Sequence, residues 1–247
     1  KNCREWIISD LAIVMAGYIS VPFFPSLNGK ELSYIMDYGD VDALFIGKIE
    51  TWDDIKNDLP SEMPIIRFPK YEGCSNVTKG HEWHEFINSH EPIENPNKPK
   101  LSDLWTIIFT SGTTGNPKGV MLTYQAIDGI KVVLDDPNNP LGIKHTGNND
   151  FISYLPLNHI FERVVIEWCS FRYGGTISFV ESIETFGQNL KEVQPHVFAA
   201  APRVWTKLQM GILSKFPQKK LDTLLKIPLL STIPVSYTHL TLPTSLI

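Results

Sequence analysis

Cysteine is scarce in this sequence. Its 247 residues contain three cysteines, Cys3, Cys74 and Cys169, which lie far apart in the chain. A disulfide framework uses an even number of cysteines and a zinc knuckle uses closely spaced ones, so this arrangement argues against both. We expect reduced thiols that pack in the interior of a cytoplasmic protein.

Positive charge is also sparse. Lys and Arg total 22 against 27 Asp and Glu, which gives a formal net charge of −5. A protein that binds a nucleic-acid backbone needs a basic surface or long basic runs. The sequence therefore predicts no nucleic-acid partner and no anionic partner larger than a small phosphate compound.

No apolar run is long and uninterrupted enough to span a bilayer. The longest, Ile7 to Phe24, contains Asp10, Gly17 and Pro22. Because the chain begins with neither Met nor a basic-then-apolar signal segment, we expect the native N-terminus to lie upstream. The first part of the run predicts a buried amphipathic helix, with apolar residues at helical spacing at Trp6, Ile7, Leu11 and Val14.

Strand-like and helix-like patterns alternate along the chain, which predicts an α/β fold. The predicted strands are "YISVPFF", "VDALFIG", "LWTIIF", "GVMLT", "FISYLPL", "GGTISFV" and "HVFAAAP". Helices are predicted at "NGKELSYIMDYGD", at "IETFGQNLKEVQ" and after Thr123, which we expect to be an N-cap. That last helix places Ile127, Ile130 and Leu134 on one face. The proline-dotted "HEPIENPNKPK" predicts a connector.

The segment "IIFTSGTTGNPKGVMLT" joins two of these strands and is rich in glycine and hydroxyl groups. Gly112, Gly115 and Gly119 allow tight turns and a close approach of the backbone to a ligand. Lys118 supplies positive charge, and four hydroxyls supply hydrogen-bond donors. The hydroxyl residues are Thr110, Ser111, Thr113 and Thr114. This inventory suits phosphate oxygens, although a turn-rich hairpin connection without a ligand uses the same residue types.

Two common phosphate-binding patterns do not fit this loop. Counted from Gly112, Lys118 has the spacing of a Walker loop, but Pro117 replaces the preceding glycine and Gly119 replaces the metal-binding hydroxyl. The dinucleotide pattern fails as well, because the glycines read G-x-x-G-x-x-x-G instead of G-x-G-x-x-G. The loop therefore belongs to another class.

The string "TSGTTGNPKG" closely resembles the phosphate-binding signature of the adenylate-forming superfamily, which includes acyl-CoA synthetases, luciferases and peptide-synthetase adenylation domains. Ile107 to Lys118 matches that signature at every constrained position. "SYLPLNHIFERVV" and the segment with Pro-Arg-Val-Trp are similar to the long-chain branch, in particular to bacterial long-chain fatty-acid–CoA ligases. The resemblance covers nearly all of Lys1 to Pro234, and it implies part of the large N-terminal domain, with mixed sheets, packed helices and no C-terminal domain.

The resemblance also implies which residues bind the nucleotide. In that family the loop wraps the β- and γ-phosphates of ATP, with one hydroxyl beside Mg²⁺. Here the hydroxyl is that of Thr110, and Lys118 also takes a catalytic role because it offsets charge on the leaving pyrophosphate. The implied ATP contacts are Thr110, Ser111, Gly112, Thr113, Thr114, Gly115 and Lys118.

His159 is the second candidate catalytic residue. A lone histidine among apolar neighbours is often a hydrogen-bonded core residue. Its match to a family position that borders the acyl and adenylate site favours a substrate-positioning role instead. Glu162 and Arg163 follow within one turn, and we expect an ion-paired surface or helix-end role for both, outside the site.

The string "HEWHEFINSH" gathers three histidines and two glutamates, which raises the question of a metal site. The zincin spacing H-E-x-x-H is absent, because one residue separates Glu82 from His84. We therefore interpret the segment as solvated polar surface.

The implied reaction has two steps. A carboxylate attacks the α-phosphorus of ATP to give acyl-AMP and pyrophosphate, and the thiol of coenzyme A then displaces AMP. The expected substrates are a long-chain fatty acid, ATP and coenzyme A, with at most peripheral contact to the inner face of the membrane. The alternatives are an aryl-acid or other carboxylic acid–CoA ligase, a luciferase-like adenylating enzyme, and a nucleotide-binding module without turnover.

The likeness to long-chain ligases stops after "KIPLLSTIP". "VSYTHLTLPT" matches one reading frame of a transposon-end sequencing adapter, so we interpret residues 235–247 as a non-native tail and residues 1–234 as a partial AMP-binding domain truncated at both ends. The family's adenine, ribose and C-terminal lysine segments have no match here. We therefore expect this chain to be inactive by itself.

Overall fold

The computed structural model describes residues 1–110, 117–136, 142–145 and 147–215 of the chain. The chain divides into two compact units, Lys1–Phe198 and Ala199–Ile247. The described part of the second unit contains one helix, α9 (Pro202–Lys215). The predicted loop, its flanking strands and His159 all belong to the first unit.

The amino-terminal half of the first unit is a small parallel sheet with helices. The strand order is β1-β2-β3, and both neighbouring pairs run parallel. The strands are β1 (Leu44–Ile46), β2 (Ile65–Arg67) and β3 (His81–Glu82). The helices are α1 (Arg4–Met15), α2 (Gly29–Tyr38), α3 (Trp52–Ile55) and α4 (Trp83–Asn88). Helix α3 lies in the crossover that a parallel β1–β2 pair requires.

Helix α2 confirms the prediction for "NGKELSYIMDYGD". A capping box starts it: Asn28 Oδ1 accepts from Glu31 N at 3.0 Å, and Glu31 Oε2 accepts from Asn28 N at 3.1 Å. The apolar face is buried through Leu32, Ile35 and Met36. Leu32 and Met36 join the core cluster formed with strands β1 and β2.

The central part of the unit is an antiparallel hairpin followed by a helix. Its strands are β4 (Leu104–Thr110) and β5 (Lys118–Thr123), and α5 (Tyr124–Leu134) continues directly from β5. The predicted strands and helix are confirmed, with Ile127 and Leu134 buried and Ile130 half-buried. Thr123 occupies the N-cap position, but its side chain makes no capping hydrogen bond.

The last part of the unit pairs two parallel strands, β6 (Asp150–Ser153) and β7 (Thr176–Phe179). Their crossover is α6 (Ile160–Glu162), a π-helical turn (Arg163–Trp168) and α7 (Cys169–Tyr173), and α8 (Phe186–Val193) follows β7. A π-helical segment within a helix is rare and often found at functional sites. These elements confirm the predicted α/β class.

Two predicted strands are wrong, because each is reduced to a single bridge. "YISVPFF" pairs only through Ser20 with Thr106, since Pro22 has no N–H to extend the ladder. "HVFAAAP" pairs only through Val197 with Phe151. There, His196 N and Val197 N both donate to the carbonyl of Asp150, so the regular alternation of a ladder does not develop.

Helix α1 is present where predicted, but it buries a different face. Ile7 is buried, whereas Leu11 is 40% exposed. Glu5, Ser9 and Asp10 are buried in its place. The reason is that both carboxylates have hydrogen-bond partners. Glu5 accepts from Nε of the exposed Arg4 at 2.8 Å and from the Tyr71 hydroxyl, and Asp10 accepts from the buried Arg163.

The three thiols are free, as predicted, with Cys3 and Cys169 buried and Cys74 half-buried. Within the ranges that the structure describes, no helix combines the length and apolar character needed to cross a bilayer.

Candidate functional site

The loop end of the β4–β5 hairpin carries two of the predicted phosphate-binding residues. Thr110 ends β4 and Lys118 begins β5, and the two are register partners. The Thr110 hydroxyl makes a long contact of 3.5 Å with the Lys118 carbonyl, and both side chains are exposed. The hairpin thus carries a hydroxyl residue and a lysine at paired positions beside the loop. Ser111, Gly112, Thr113, Thr114 and Gly115 lie outside the described residues.

The hairpin is anchored by its buried strand. Trp105, Thr106, Ile108 and Phe109 of β4 are buried, whereas β5 is the more exposed partner. Gly119 faces Phe109 across the pair. A Cβ at Gly119 would lie 2.9 Å from Cγ2 of Ile107 and 3.3 Å from Cζ of Phe109, so the β4 side chains next to Lys118 would have to shift to admit a side chain there.

His159 lies at the start of the helical crossover. It is the N-cap of α6, and its Nδ1 accepts from Phe161 N at 3.2 Å. Its main chain is also fixed, because His159 N donates to Pro156 O at 2.9 Å and Arg163 N donates to His159 O at 3.3 Å. With Nδ1 as an acceptor, Nε2 carries the proton of the neutral ring. The side chain is exposed, so this histidine is not a core residue.

Glu162 is buried and not at the surface, which corrects part of the prediction. Its Oε1 accepts from Ser153 Oγ at 2.8 Å and from Tyr154 N at 2.9 Å. Its Oε2 has no hydrogen-bond partner within the described part of the chain. Because burial disfavours the charged form, the pKa of Glu162 rises to about 7, against the opposing effect of these hydrogen bonds.

Arg163 is ion-paired as predicted, but it is fully buried instead of lying on the surface. Its Nη2 donates to Asp10 at 2.7 Å (Oδ1) and 2.6 Å (Oδ2). Its Nη1 donates to Thr106 Oγ1 at 2.7 Å. The guanidinium carbon lies 4.1 Å from the ring centre of Trp105 and 5.6 Å from that of Trp6. A single side chain therefore joins α1, β4 and the π-helical turn.

Two further polar residues complete this buried network. Thr106 Oγ1 donates to the carbonyl of Ser20 at 2.8 Å, and the Ser20 hydroxyl donates to Asp10 Oδ1. Glu167 Oε2 lies 3.5 Å from Arg163 Nε. Burial and the neighbouring Asp10 carboxylate raise the pKa of Glu167 well above its usual range. The closest ion pair of the cluster is that of Arg163 with Asp10.

The structure thus brings Thr110 and Lys118 together and connects His159 to the hairpin through Arg163. Sequence reasoning missed the connection. Its signals were Asp10 within an apolar run and the charged pair Glu162 and Arg163 at the start of the apolar segment "VVIEW". A charged residue in an apolar stretch requires a buried partner or a ligand.

The histidine-rich segment forms polar surface, as predicted. The side chains of His81, His84 and His90 are exposed. Glu82 is the N-cap of α4, accepting from His84 N at 2.8 Å and Glu85 N at 3.0 Å. Its carboxylate thus satisfies backbone donors at the helix start.

Comparison with known proteins gives the family. The model of the AMP-binding enzyme family matches residues 1–236. The chain therefore belongs to the AMP-binding enzyme family. Among curated family members, long chain acyl-CoA synthetase 5 of Arabidopsis thaliana is 34% identical over 230 residues, covering 87% of this chain and 34% of its own. Human long-chain-fatty-acid–CoA ligase 1 is 30% identical, with 84% of this chain and 31% of its own covered.

Several solved structures share the fold. A red-emitting luciferase from Phrixothrix hirtus superposes with a TM-score of 0.63 at 17% identity, over 79% of this chain and 38% of its own. An anthranilate CoA ligase in complex with anthranoyl-AMP superposes with a TM-score of 0.62 at 17% identity, over 78% of this chain and 37% of its own. The chain spans about a third of the length of the curated relatives it matches.

Proposed function

We propose that this chain is part of an ATP-dependent ligase that activates a long-chain fatty acid to acyl-AMP and then to acyl-CoA. The observation that carries the proposal is the pairing of Thr110 with Lys118 at the loop end of the β4–β5 hairpin. A hydroxyl donor and a cation flank the glycine-rich loop there, in a member of the AMP-binding family. The long-chain substrate class rests on the names of the curated relatives.

The first step of this reaction sets the demand on the hairpin. A carboxylate oxygen of the fatty acid forms a bond to the α-phosphorus of ATP while the bond from that phosphorus to the bridging oxygen of pyrophosphate breaks. Negative charge accumulates on the leaving pyrophosphate, so a fixed cation beside it lowers the barrier. Lys118 is exposed at the start of β5 and provides that charge.

We assign the rest of the loop by the same reasoning. Thr110, Ser111, Gly112, Thr113, Thr114 and Gly115 contact the β- and γ-phosphates through hydroxyl and backbone N–H groups. The exposed Thr110 hydroxyl is an oxygen donor at the loop's edge, which fits a Mg²⁺ ion that binds the phosphates together with the protein. When bound, this ion neutralises phosphate charge.

His159 positions the substrate carboxylate in this proposal. Its ring is exposed while its Nδ1 is engaged with Phe161 N, so Nε2–H is oriented by the start of α6. A donor held in this way orients a carboxylate beside the reacting phosphate. In the second step, the coenzyme A thiolate attacks the acyl carbon, and AMP leaves with the electron pair of the broken bond.

The domain boundaries form part of the proposal. Residues 1–234 are a portion of the adenylation domain, because the relatives are about three times longer than their matched region. Residues 235–247 are an adapter-derived tail. The nucleotide sequence tests this: codons for Val235 to Thr244 that do not spell the adapter would refute the tail's assignment.

The test of function is a substrate panel run on the complete enzyme that contains this segment. Pyrophosphate exchange into ATP is measured with palmitate, with short-chain acids and with aryl acids, followed by acyl-CoA formation. Exchange that depends on palmitate supports a long-chain ligase. Exchange only with aryl acids indicates the aryl-acid alternative, and ATP binding without exchange indicates a nucleotide-binding module.

A further inference from the structure

We propose that Arg163 is a positioning residue for ATP: its buried side chain holds the strand of the phosphate loop and the segment that carries His159 in one fixed arrangement. The inference rests on the proposed function for its kinetic readout. Its structural basis is the buried network that contains Asp10, Thr106 and Arg163.

Arg163 is close in sequence to one site residue and contacts the strand of the other. Its backbone N–H donates to the carbonyl of His159, four residues earlier, at 3.3 Å. Its Nη1 donates at 2.7 Å to Thr106, four residues before Thr110 in the same strand. Four residues of extended strand span only about 13 Å. A displacement of the guanidinium is therefore transmitted to both sides of the site through short, regular segments.

The hydrogen bonds of Thr106 fix the orientation of its hydroxyl towards Arg163. Its hydroxyl proton is committed to the Ser20 carbonyl at 2.8 Å, so the oxygen presents its lone pairs to Arg163 Nη1. Thr106 is fully buried, which excludes water as a substitute partner. The rotation of β4 about its own axis is consequently fixed by two hydrogen bonds at this residue, besides the ladder to β5.

The geometry requires arginine in particular. Nη1 and Nη2 serve Thr106 and Asp10 simultaneously, and the ring of Trp105 lies 4.1 Å from the guanidinium carbon. The planar guanidinium holds two donors at a fixed angle, whereas an ammonium group is a point charge on a flexible stem. Lysine retains the charge that Asp10 needs but cannot reproduce both hydrogen bonds with the same geometry.

Arginine is also an inefficient choice for stability alone. A buried ion pair is often no more stabilising than well-packed apolar residues of similar volume, because both charges lose their hydration. The Asp10–Arg163 pair nevertheless joins α1, β4 and the crossover helix. A function in fixing the geometry of the site explains why Arg163, the cation of this pair, contacts both the strand that ends at Thr110 and the segment that carries His159.

The experiment compares Arg163→Lys and Thr106→Val in the complete enzyme. Arg163→Lys keeps the charge, and Thr106→Val removes the hydroxyl while keeping the side-chain shape. The control is Arg172→Lys, which alters an exposed arginine in the same helical crossover, where Arg172 pairs with Asp135 at 3.3 Å. For each protein, ATP affinity is measured by equilibrium dialysis without acid, and kcat and KM are measured for ATP, fatty acid and coenzyme A.

We expect Arg163→Lys and Thr106→Val to weaken ATP binding and raise its KM by about ten- to a hundredfold, with little change in the KM for coenzyme A. The double variant should bind ATP no more weakly than the poorer single variant, because both substitutions remove the same hydrogen bond between Arg163 and Thr106. Arg172→Lys should match the wild type.

A merely structural network predicts a different result. The variants would then lose kcat in proportion to their folded fraction and keep the wild-type affinity for ATP, which would overturn the inference. If Arg163→Lys does not fold, an unchanged ATP affinity of Thr106→Val overturns it as well. Dialysis needs no turnover, so the two proposals can fail separately. A wild-type enzyme that binds ATP but does not activate fatty acids would refute the proposed function. The ATP affinities of the Arg163 and Thr106 variants would still decide whether Arg163 positions ATP.

Discussion

Ser153 donates a hydrogen bond to Glu162 Oε1 at 2.8 Å and thereby joins the end of β6 to the helix that follows His159. Tyr154 N donates to the same oxygen at 2.9 Å. The loop between them carries His159, so its geometry depends on this carboxyl group. Because burial raises the pKa of Glu162 to about 7, the group changes its charge near neutral pH.

We predict that Glu162 makes the protein less stable as the pH rises from 5 to 8. The pKa of Glu162 is about 7 in the folded state against an ordinary value of 4.5. Between these values the folded state binds the proton that the unfolded state has lost, so the free energy of unfolding falls with increasing pH. The total loss in the free energy of unfolding is about 3 kcal/mol, and it is reached once the pH exceeds the folded-state pKa.

Glu162→Gln should remove this dependence. The amide oxygen replaces Oε1 as the acceptor, and the neutral amide eliminates the cost of burying a charge. Thermal unfolding of the complete enzyme should therefore show a higher midpoint for the variant at pH 8 and a nearly equal one at pH 5. The exposed Glu94 provides the control Glu94→Gln. An equal shift of both variants across this range would contradict the assignment.

Lys118→Ala should weaken the use of ATP. The removal of one charge-assisted contact to the phosphates should cost about 1.5–3 kcal/mol of transition-state stabilisation. The measurement is kcat/KM for ATP in pyrophosphate exchange by the complete enzyme. Lys144 is exposed and lies outside the hairpin, so Lys144→Ala is the matched control. Unchanged kinetics of Lys118→Ala would refute the assignment of Lys118 to the phosphates of ATP, on which the proposed function depends.

Gly119→Ala should destabilise the hairpin and reduce ATP affinity together. The added Cβ would lie 2.9 Å from Ile107 Cγ2, which forces a shift of the packing beside Lys118. Overpacking of this kind costs about 1–3 kcal/mol. The control is Gly129→Ala in α5, where no atom outside the local helix backbone lies within 4 Å of the new Cβ and a gain of about 0.5–1 kcal/mol is expected from helix propensity. Urea unfolding should show a lower free energy of unfolding for Gly119→Ala and a higher one for Gly129→Ala. Dialysis should show weaker ATP binding for Gly119→Ala alone. Wild-type stability and ATP affinity of Gly119→Ala would contradict the prediction.

The contrast between α2 and α1 shows what the sequence could and could not predict about the fold. The buried face of α2 follows from the apolar spacing of Leu32, Ile35 and Met36, because a regular hydrophobic period needs no knowledge of distant partners. The buried face of α1 includes Asp10, whose partner Arg163 lies 153 residues away. Periodicity assigns such a carboxylate to the surface, and only the tertiary pairing reverses that assignment.

The candidate site divides in the same way. Thr110 and Lys118 could be named from a local string, since the loop and its strands are contiguous. The burial of Glu162 and the link from Arg163 to Thr106 required three separate segments to be placed together. Short motifs report the groups that meet a ligand, whereas the residues that hold those groups are dispersed and polar in apolar surroundings.

The last prediction is that the 247-residue chain alone does not form acyl-adenylate. The chain spans about a third of the length of its curated relatives. Lys118 and the loop account for the leaving phosphates, but the attacked α-phosphorus needs its own stabilising group on the opposite side of the breaking bond. We therefore expect only weak ATP binding by the isolated chain.

The assay for this prediction is pyrophosphate exchange by the purified chain with Mg²⁺ and palmitate, freed of host synthetases. The complete enzyme assayed in parallel is the positive control. Lys118→Ala in the isolated chain distinguishes a trace of intrinsic turnover from contamination, because host activity would not respond to that change. Exchange near the rate of the complete enzyme, abolished by Lys118→Ala, would show that residues 1–247 already contain the group that stabilises the α-phosphorus.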